Sequence, residues 1–151
     1  MLTDSNKFKR LCEIGNAIAL KNSHMTQCHS ALIISGGSII STGVNSFDRC
    51  KFDHKYTPGC HAEVNALMRI PKKIRRNNLQ MIVFHPGKDK FHPNKPSKPC
   101  SFCMKFIREW GIDRIYYICP STREWVCRRT RDMNEIYFSS FVRNMGMDIF
   151  N

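Results

Sequence analysis

Cys60-His61-Ala62-Glu63-Val64-Asn65-Ala66-Leu67 and, further along, Pro99-Cys100-Ser101-Phe102-Cys103 are the two stretches on which the fold turns. Each reads as a helix start. After the first, Val64, Leu67 and Met68 form an apolar stripe closed by Pro71; after the second, Phe102, Cys103, Phe106, Ile107 and Trp110 form another, stopped by Gly111. Cys100 and Cys103 are spaced so that a first helical turn aims both sulfurs at one point, which His61 can approach from the neighbouring helix. Three ligands leave tetrahedral zinc one position short. A structural site would close that position with another Cys or His, whereas a catalytic site leaves it to water. Two thiolates donate more charge than imidazoles and weaken the acidification of such a water, so Glu63 reads as its proton acceptor rather than as a ligand.

Outward from these motifs, helices alternate with strands. Residues 7–20 put Phe8, Leu11, Cys12, Gly15, Ile18 and Ala19 on one helical face, with Thr3 or Ser5 as a cap. Ala31–Ser35 and Ile39–Val44 are β-rich runs joined by Gly36-Gly37-Ser38, which predicts a hairpin. Asn45 to Gly59 has no sustained period and is expected to be a loop, with the second helix starting near Cys60. Leu79–Phe84 and Ile112–Cys119 are further strands. Between them, His85 to Pro99 collects Pro86, Pro93, Pro96 and Pro99 with Lys88, Lys90, Lys95 and Lys98, which forbids regular structure. Trp125–Thr130 reads as a fifth strand, antiparallel to the fourth across a short Pro120-Ser121-Thr122 turn; the alternative is a helix capped by Ser121 with Glu124 at capping-box spacing. The order predicts a layered α/β architecture in one domain spanning residues 1–151.

Composition bounds the rest. A hydrophobic share of 42% and a charged share of 24% exclude collagen-like, coiled-coil and disordered classes. The polar N-terminus and the lack of a bilayer-length apolar run predict a soluble cytoplasmic protein with no membrane partner, in which eight cysteines are thiols or metal ligands rather than disulfides. The 24 Lys plus Arg against 12 Asp plus Glu give a formal charge of +12, which favours an anionic partner. Much of that charge, at Lys72, Lys73, Arg75 and Arg76 and at Arg123, Arg128, Arg129 and Arg131, reads as solvated surface; Lys95 and Lys98, in the loop that enters Cys100, are the residues placed to meet a phosphate.

The order H-x-E followed by P-C-x-x-C is the signature of zinc-dependent nucleobase deaminases. The chain resembles the cytidine and deoxycytidylate deaminase superfamily from the Ala31 hairpin to at least Cys119. That resemblance implies a three-layer cytidine deaminase-like sheet with helices on both faces and mixed strand directions. It makes His61, Cys100 and Cys103 ligands of Zn²⁺ and Glu63 the catalytic proton shuttle. Gly43-Val44-Asn45 looks like the family's G-x-N segment, making Asn45, together with Ala62, a candidate substrate contact. The implied reaction is hydrolytic deamination of cytosine in a free nucleoside or nucleotide within pyrimidine metabolism, by an enzyme that assembles as a homo-oligomer.

Within the superfamily, Asn45-Ser46-Phe47 lacks the x-Glu that grips the ribose in free cytidine deaminases. His61-Ala62-Glu63-Val64-Asn65-Ala66 looks more like the deoxycytidylate group, and the positive charge agrees with a nucleotide of the dCMP or CMP type. An antiparallel fifth strand points back to the cytidine group. Three other readings stay open: an editing deaminase acting on single-stranded RNA or DNA, with Phe91, Trp125, Tyr137 and Phe138 as stacking platforms; a zinc-stabilised binding module; and a second, structural zinc at Cys50 and His54 with His85 or His92. Asn65 either supports the site or is an ordinary exposed helical residue.

Overall fold

The computed structural model describes residues 2–47, 50–52, 55–57, 59–75, 77–87 and 95–137. Helix α1 (Asn6–Asn22) is capped by Ser5, whose hydroxyl accepts the Phe8 N–H at 3.0 Å. Strands β1 (Ser30–Ser35) and β2 (Ser38–Val44) form the expected hairpin. Its two-residue turn has Gly36 at φ 57° and Gly37 at φ 83°, left-handed values at both central positions that an L side chain resists. Then come α2 (Ala62–Met68), β5 (Leu79–Phe84), α3 (Ser101–Glu109), β6 (Ile112–Ile118) and β7 (Trp125–Arg129).

The main sheet has the order β2-β1-β5-β6-β7. Neighbours are antiparallel except β5 and β6, which run parallel and are joined by the α3 crossover. Strand β1 is apolar on both faces because both are covered. Leu32 and Ile34 pack with Phe8 and Leu11 of α1, while Ala31 and Ile33 pack toward α2 and α3. Three layers result, an α/β arrangement with mixed strand directions. The fifth strand is antiparallel to the fourth, with Tyr116 opposite Cys127, and the capping-box helix does not form.

One expectation fails. Asn45–Gly59 is not simply a loop: β3 (Cys50–Phe52) and β4 (Lys55–Thr57) make a small antiparallel sheet. Strands of three residues are shorter than one readable period of alternation, so no pattern marks them in the sequence. Just beyond, Ser46 and Cys60 exchange both backbone hydrogen bonds at 3.0 and 2.9 Å, tying the entry of α2 to the end of β2.

No helix among the described residues is long and apolar enough to cross a membrane. Past β7, a 3-10 turn leads to residues 133–137, which lie across the start of α3: Ser101 N–H donates to Tyr137 O at 2.7 Å, and Tyr137 N–H donates to Ser101 Oγ at 2.9 Å. Glu135 pins this segment by pairing with Arg128 and, at 2.9 Å, with Lys98. Arg128, then Lys98, holds the Glu135 carboxyl down at about 2 against an ordinary 4.5. A carboxylate whose pKa falls on folding stabilises above its unfolded value and loses that contribution as pH drops toward the folded one. Glu135→Gln is therefore expected to flatten the acid limb between about pH 4.5 and 2, by less than about 1 kcal/mol because the pair is solvent-screened. Urea midpoints across that range check it; an unchanged acid limb would remove the pin.

Candidate active site

His61 is the N-cap of α2 and Cys100 the N-cap of α3, and neither uses its side chain to cap, so both side chains are released toward the gap between the two helices. Cys103 joins them from the first turn of α3. The His61 Nδ1 stands 3.1 Å from Cys103 Sγ and 3.7 Å from Cys100 Sγ, and the three ligand atoms lie within 4.8 Å of one another. Tetrahedral zinc, with Zn–S near 2.3 Å and Zn–N near 2.0 Å, sets such N···S separations at roughly 3.6 Å. The arrangement fits the metal. Its electrostatics agree: Cys103 S–H donation, with help from His61, holds Cys100 well below the usual thiol range. Burial, then the Cys100 sulfur, pushes Cys103 well above it. The two buried sulfurs pull each other's protons in opposite directions, and a divalent cation held between them would stabilise both as thiolates. Burial acts to lower His61, but the Cys100 sulfur and Glu63 together outweigh it and leave the imidazole above its ordinary value.

Glu63 occupies the second position of α2 and is 5% exposed. Burial raises its pKa, so its carboxyl is easier to protonate than one in water. It lines a cavity of about 710 Å³ together with His61, Cys100, Ala62 and Asn45. Among the described lining residues Glu63 is the one carboxylate; Lys95, Lys98 and Arg123 line the cavity as well.

The placement of α2 depends on close backbone contact. A Cβ on Gly43 would lie 2.3 Å from Ala66 N and 2.5 Å from Ala62 O, so only glycine lets the helix rest on β2. Asn65 accepts the Val44 N–H at 3.1 Å and Ser41 Oγ donates to Ala66 O at 2.7 Å, which fixes the helix against the strand. Of its two sequence readings, Asn65 takes the supporting one.

Asn45 lines the cavity, but its amide is engaged with its own chain. Its Oδ1 accepts from Ser23 Oγ at 2.6 Å and from His29 N–H at 2.9 Å, and its Nδ2 donates to Gln27 O at 2.7 Å. It thereby holds the segment between α1 and β1 against the site. That segment supplies Met25, Thr26, Gln27 and His29 to the cavity wall. None carries a motif, and only the tertiary hydrogen bonds of Asn45 reveal them.

Lys95 and Lys98 do line the cavity. Ser97 holds their segment to β6, donating its N–H to Ile118 O at 3.0 Å and accepting the Ile118 N–H on its hydroxyl at 2.9 Å. Of the aromatics considered as stacking platforms, Tyr137 lines the cavity, whereas Trp125 packs edge-on against Phe8 and Phe84, with ring centroids 5.1 and 5.6 Å away. Phe91 and Phe138 lie outside the described residues, as do His54 and His92 of the second-zinc alternative.

Comparison with known proteins bears on the family and the fold. The family model for the cytidine and deoxycytidylate deaminase zinc-binding region matches residues 5–119. Among solved structures, the cytidine deaminase of Burkholderia pseudomallei shares the fold at a TM-score of 0.59 and 16% identity, over 85% of this chain and 98% of that one. The dCMP deaminase of cyanophage S-TIM5, solved in complex with dCMP and dUMP, gives a TM-score of 0.47 and 20% identity over 72% of this chain and 75% of that one. No curated protein sequence matches. With the signature residues gathered at one buried point and the family match extending from the cap of α1 to the end of β6, the chain belongs to the zinc-binding cytidine and deoxycytidylate deaminase family.

Proposed function

We propose that this deaminase hydrolyses the cytosine base of a free nucleoside or nucleotide, with dCMP or CMP favoured, to uracil and ammonia. The observation that carries the reading is Glu63: a carboxyl with a raised pKa, buried in the same cavity as an imidazole and two sulfurs spaced for zinc. His61, Cys100 and Cys103 would hold zinc, which when bound would supply Lewis-acid activation of water. Glu63 accepts the proton that water gives up, passes it to N3 as C4 is attacked, and returns a proton to the departing amine. Its raised pKa serves both directions of transfer. Ala62 begins α2, so its N–H lacks an intrahelical partner and is available to a substrate carbonyl. Asn45 acts on substrate chiefly by orienting the segment that carries Gln27 and His29.

The basic wall of the cavity supports a phosphorylated substrate. The antiparallel β7 does not weigh against it, because strand direction at the sheet edge is a property of the fold and the substrate meets the cavity wall. Cytoplasmic location and assembly into homo-oligomers belong to the same reading.

Ammonia release by zinc-loaded protein is to be measured with cytidine, deoxycytidine, CMP, dCMP and short cytosine-containing single strands. We expect the monophosphates to be turned over best. Preferred turnover of single strands with a steep salt dependence would instead make this an editing enzyme, and retention of zinc without any ammonia would make it a binding module.

A further inference from the structure

At the wall of the cavity formed by Gln27, His29, His85 and Lys95, polar groups gather on one oxygen. Gln27 Oε1 stands 2.9 Å from His85 Nε2 and 3.4 Å from Lys95 Nζ. One neutral amide oxygen thus faces both a ring nitrogen and an ammonium. The other ring nitrogen of His85, Nδ1, stands 3.1 Å from Pro96 O. With an oxygen acceptor at each nitrogen, only the doubly protonated imidazolium satisfies both contacts. The His29 ring stacks on His85 with centroids 3.9 Å apart and planes 26° from parallel.

Each member is held by backbone rather than left as a free surface chain. Lys95 N–H donates to His85 O at 2.8 Å, which fixes the two side by side. Asn45 anchors the facing segment through His29 N–H and Gln27 O. Among the described lining residues this corner offers no carboxylate; Glu63 belongs to the metal end of the same cavity.

We infer that Gln27, His29, His85 and Lys95 form an anion-binding corner that takes the phosphate monoester of a free nucleotide, a phosphate oxygen replacing the Gln27 amide oxygen between His85 and Lys95. This deepens the proposed function and rests on its reading of a nucleotide as substrate. The electrostatics agree. Burial, then His85, lowers His29 to about 3, and burial with Lys95 holds His85 below its ordinary value. The Lys95 ammonium is the charge these residues supply, burial disfavours a second one on either ring, and a dianion supplies what Gln27 cannot: it favours the protonated His85, whose two N–H groups suit an oxygen on each side. The monoester is favoured over an internal phosphodiester because it carries more charge and more unsubstituted oxygens for several donors in one enclosed corner.

Two readouts test the corner, one independent of turnover. In zinc-loaded protein, the imidazole ¹H–¹⁵N resonances of His29 and His85 are followed during titration with inorganic phosphate, dCMP, deoxycytidine and oligothymidylate lacking a terminal phosphate. Inorganic phosphate and dCMP are expected to shift both rings, and deoxycytidine to leave His85 unshifted. Lys95→Ala and His85→Gln are each expected to weaken the phosphate response about tenfold or more, the effect of losing a charge-assisted hydrogen bond. The second readout is the ratio of kcat/KM for dCMP over deoxycytidine, expected to fall by a similar factor in both variants. Phosphate that leaves both rings unshifted, or binds the variants as tightly as wild type, overturns the corner. An oligothymidylate response stronger than that to dCMP overturns the monoester assignment. Absent ammonia release with phosphate shifts intact would sink the proposed reaction but not the corner. Should a variant lose zinc or unfold, Gln27→Glu replaces it: an added carboxylate there is expected to occupy the corner and abolish the phosphate response, and persistence of that response counts against the site.

Discussion

Glu63→Gln is expected to lower kcat for ammonia release by about two to four orders of magnitude, the usual contribution of a positioned acid–base group. Zinc content and fold should survive. The amide has nearly the shape of the carboxyl, and its position is fixed by the first turn of α2 rather than by metal ligation. Burial penalises the ionised carboxylate, so exchanging it for a neutral amide removes a group held at some cost to stability. The variant should therefore unfold at an equal or higher urea concentration while failing to turn substrate over. Metal analysis, the urea midpoint and single-turnover kinetics together make the check. Turnover within tenfold of wild type would falsify the proton shuttle, whatever became of stability.

Gly43→Ala should produce the largest effect on stability of any single methyl in the site region. The added Cβ would meet Ala66 N at 2.3 Å, Ala62 O at 2.5 Å and Ala66 Cα at 2.8 Å, all of them backbone. A side chain in the way could rotate; a helix must move. Overpacking typically costs about 1–3 kcal/mol, and a clash with backbone belongs at or above the upper end of that range. The displaced helix carries His61 and Glu63, so zinc affinity should fall together with the urea midpoint. If both quantities stayed at wild-type values, the close approach of β2 to α2 would not be what positions the site.

Asn45 and Gly43 lie two residues apart in the sequence and illustrate different routes from sequence to site. Gly43 matters through its lack of a side chain, and the motif it shares with Asn45 does not say why until the helix above it is in place. Asn45 is recognisable within Gly43-Val44-Asn45, but its hydrogen bonds go to Ser23, Gln27 and His29. Those partners lie between α1 and β1, a segment without periodicity or motif. A sequence shows donors and acceptors; it does not show which of them a folded chain has already paired.

The convergence of His61, Cys100 and Cys103 was legible because their order and spacing act through local geometry. Two cysteines within one helical turn must converge if the helix forms, and a histidine at a second helix start completes the set once the helices lie side by side. The strands read equally well wherever burial of both faces imposed long apolar runs, as in β1 and β5. Short β3 and β4 escaped because nothing as brief as three residues establishes a period.

What the amino-acid order made legible by itself was the layered α/β architecture and the spacing that brings His61, Cys100 and Cys103 together, with Glu63 in the same cavity. These depend on periodicity and on spacing within single elements, which survive in one dimension. Tertiary structure decided the rest: that Asn45 is spent on holding a loop, that Gln27 and His29 meet His85 and Lys95 across the cavity, and that Glu135 pins the segment carrying Tyr137. These contacts join positions far apart in the chain, and only packing of the sheet and its helices brings them within hydrogen-bonding range.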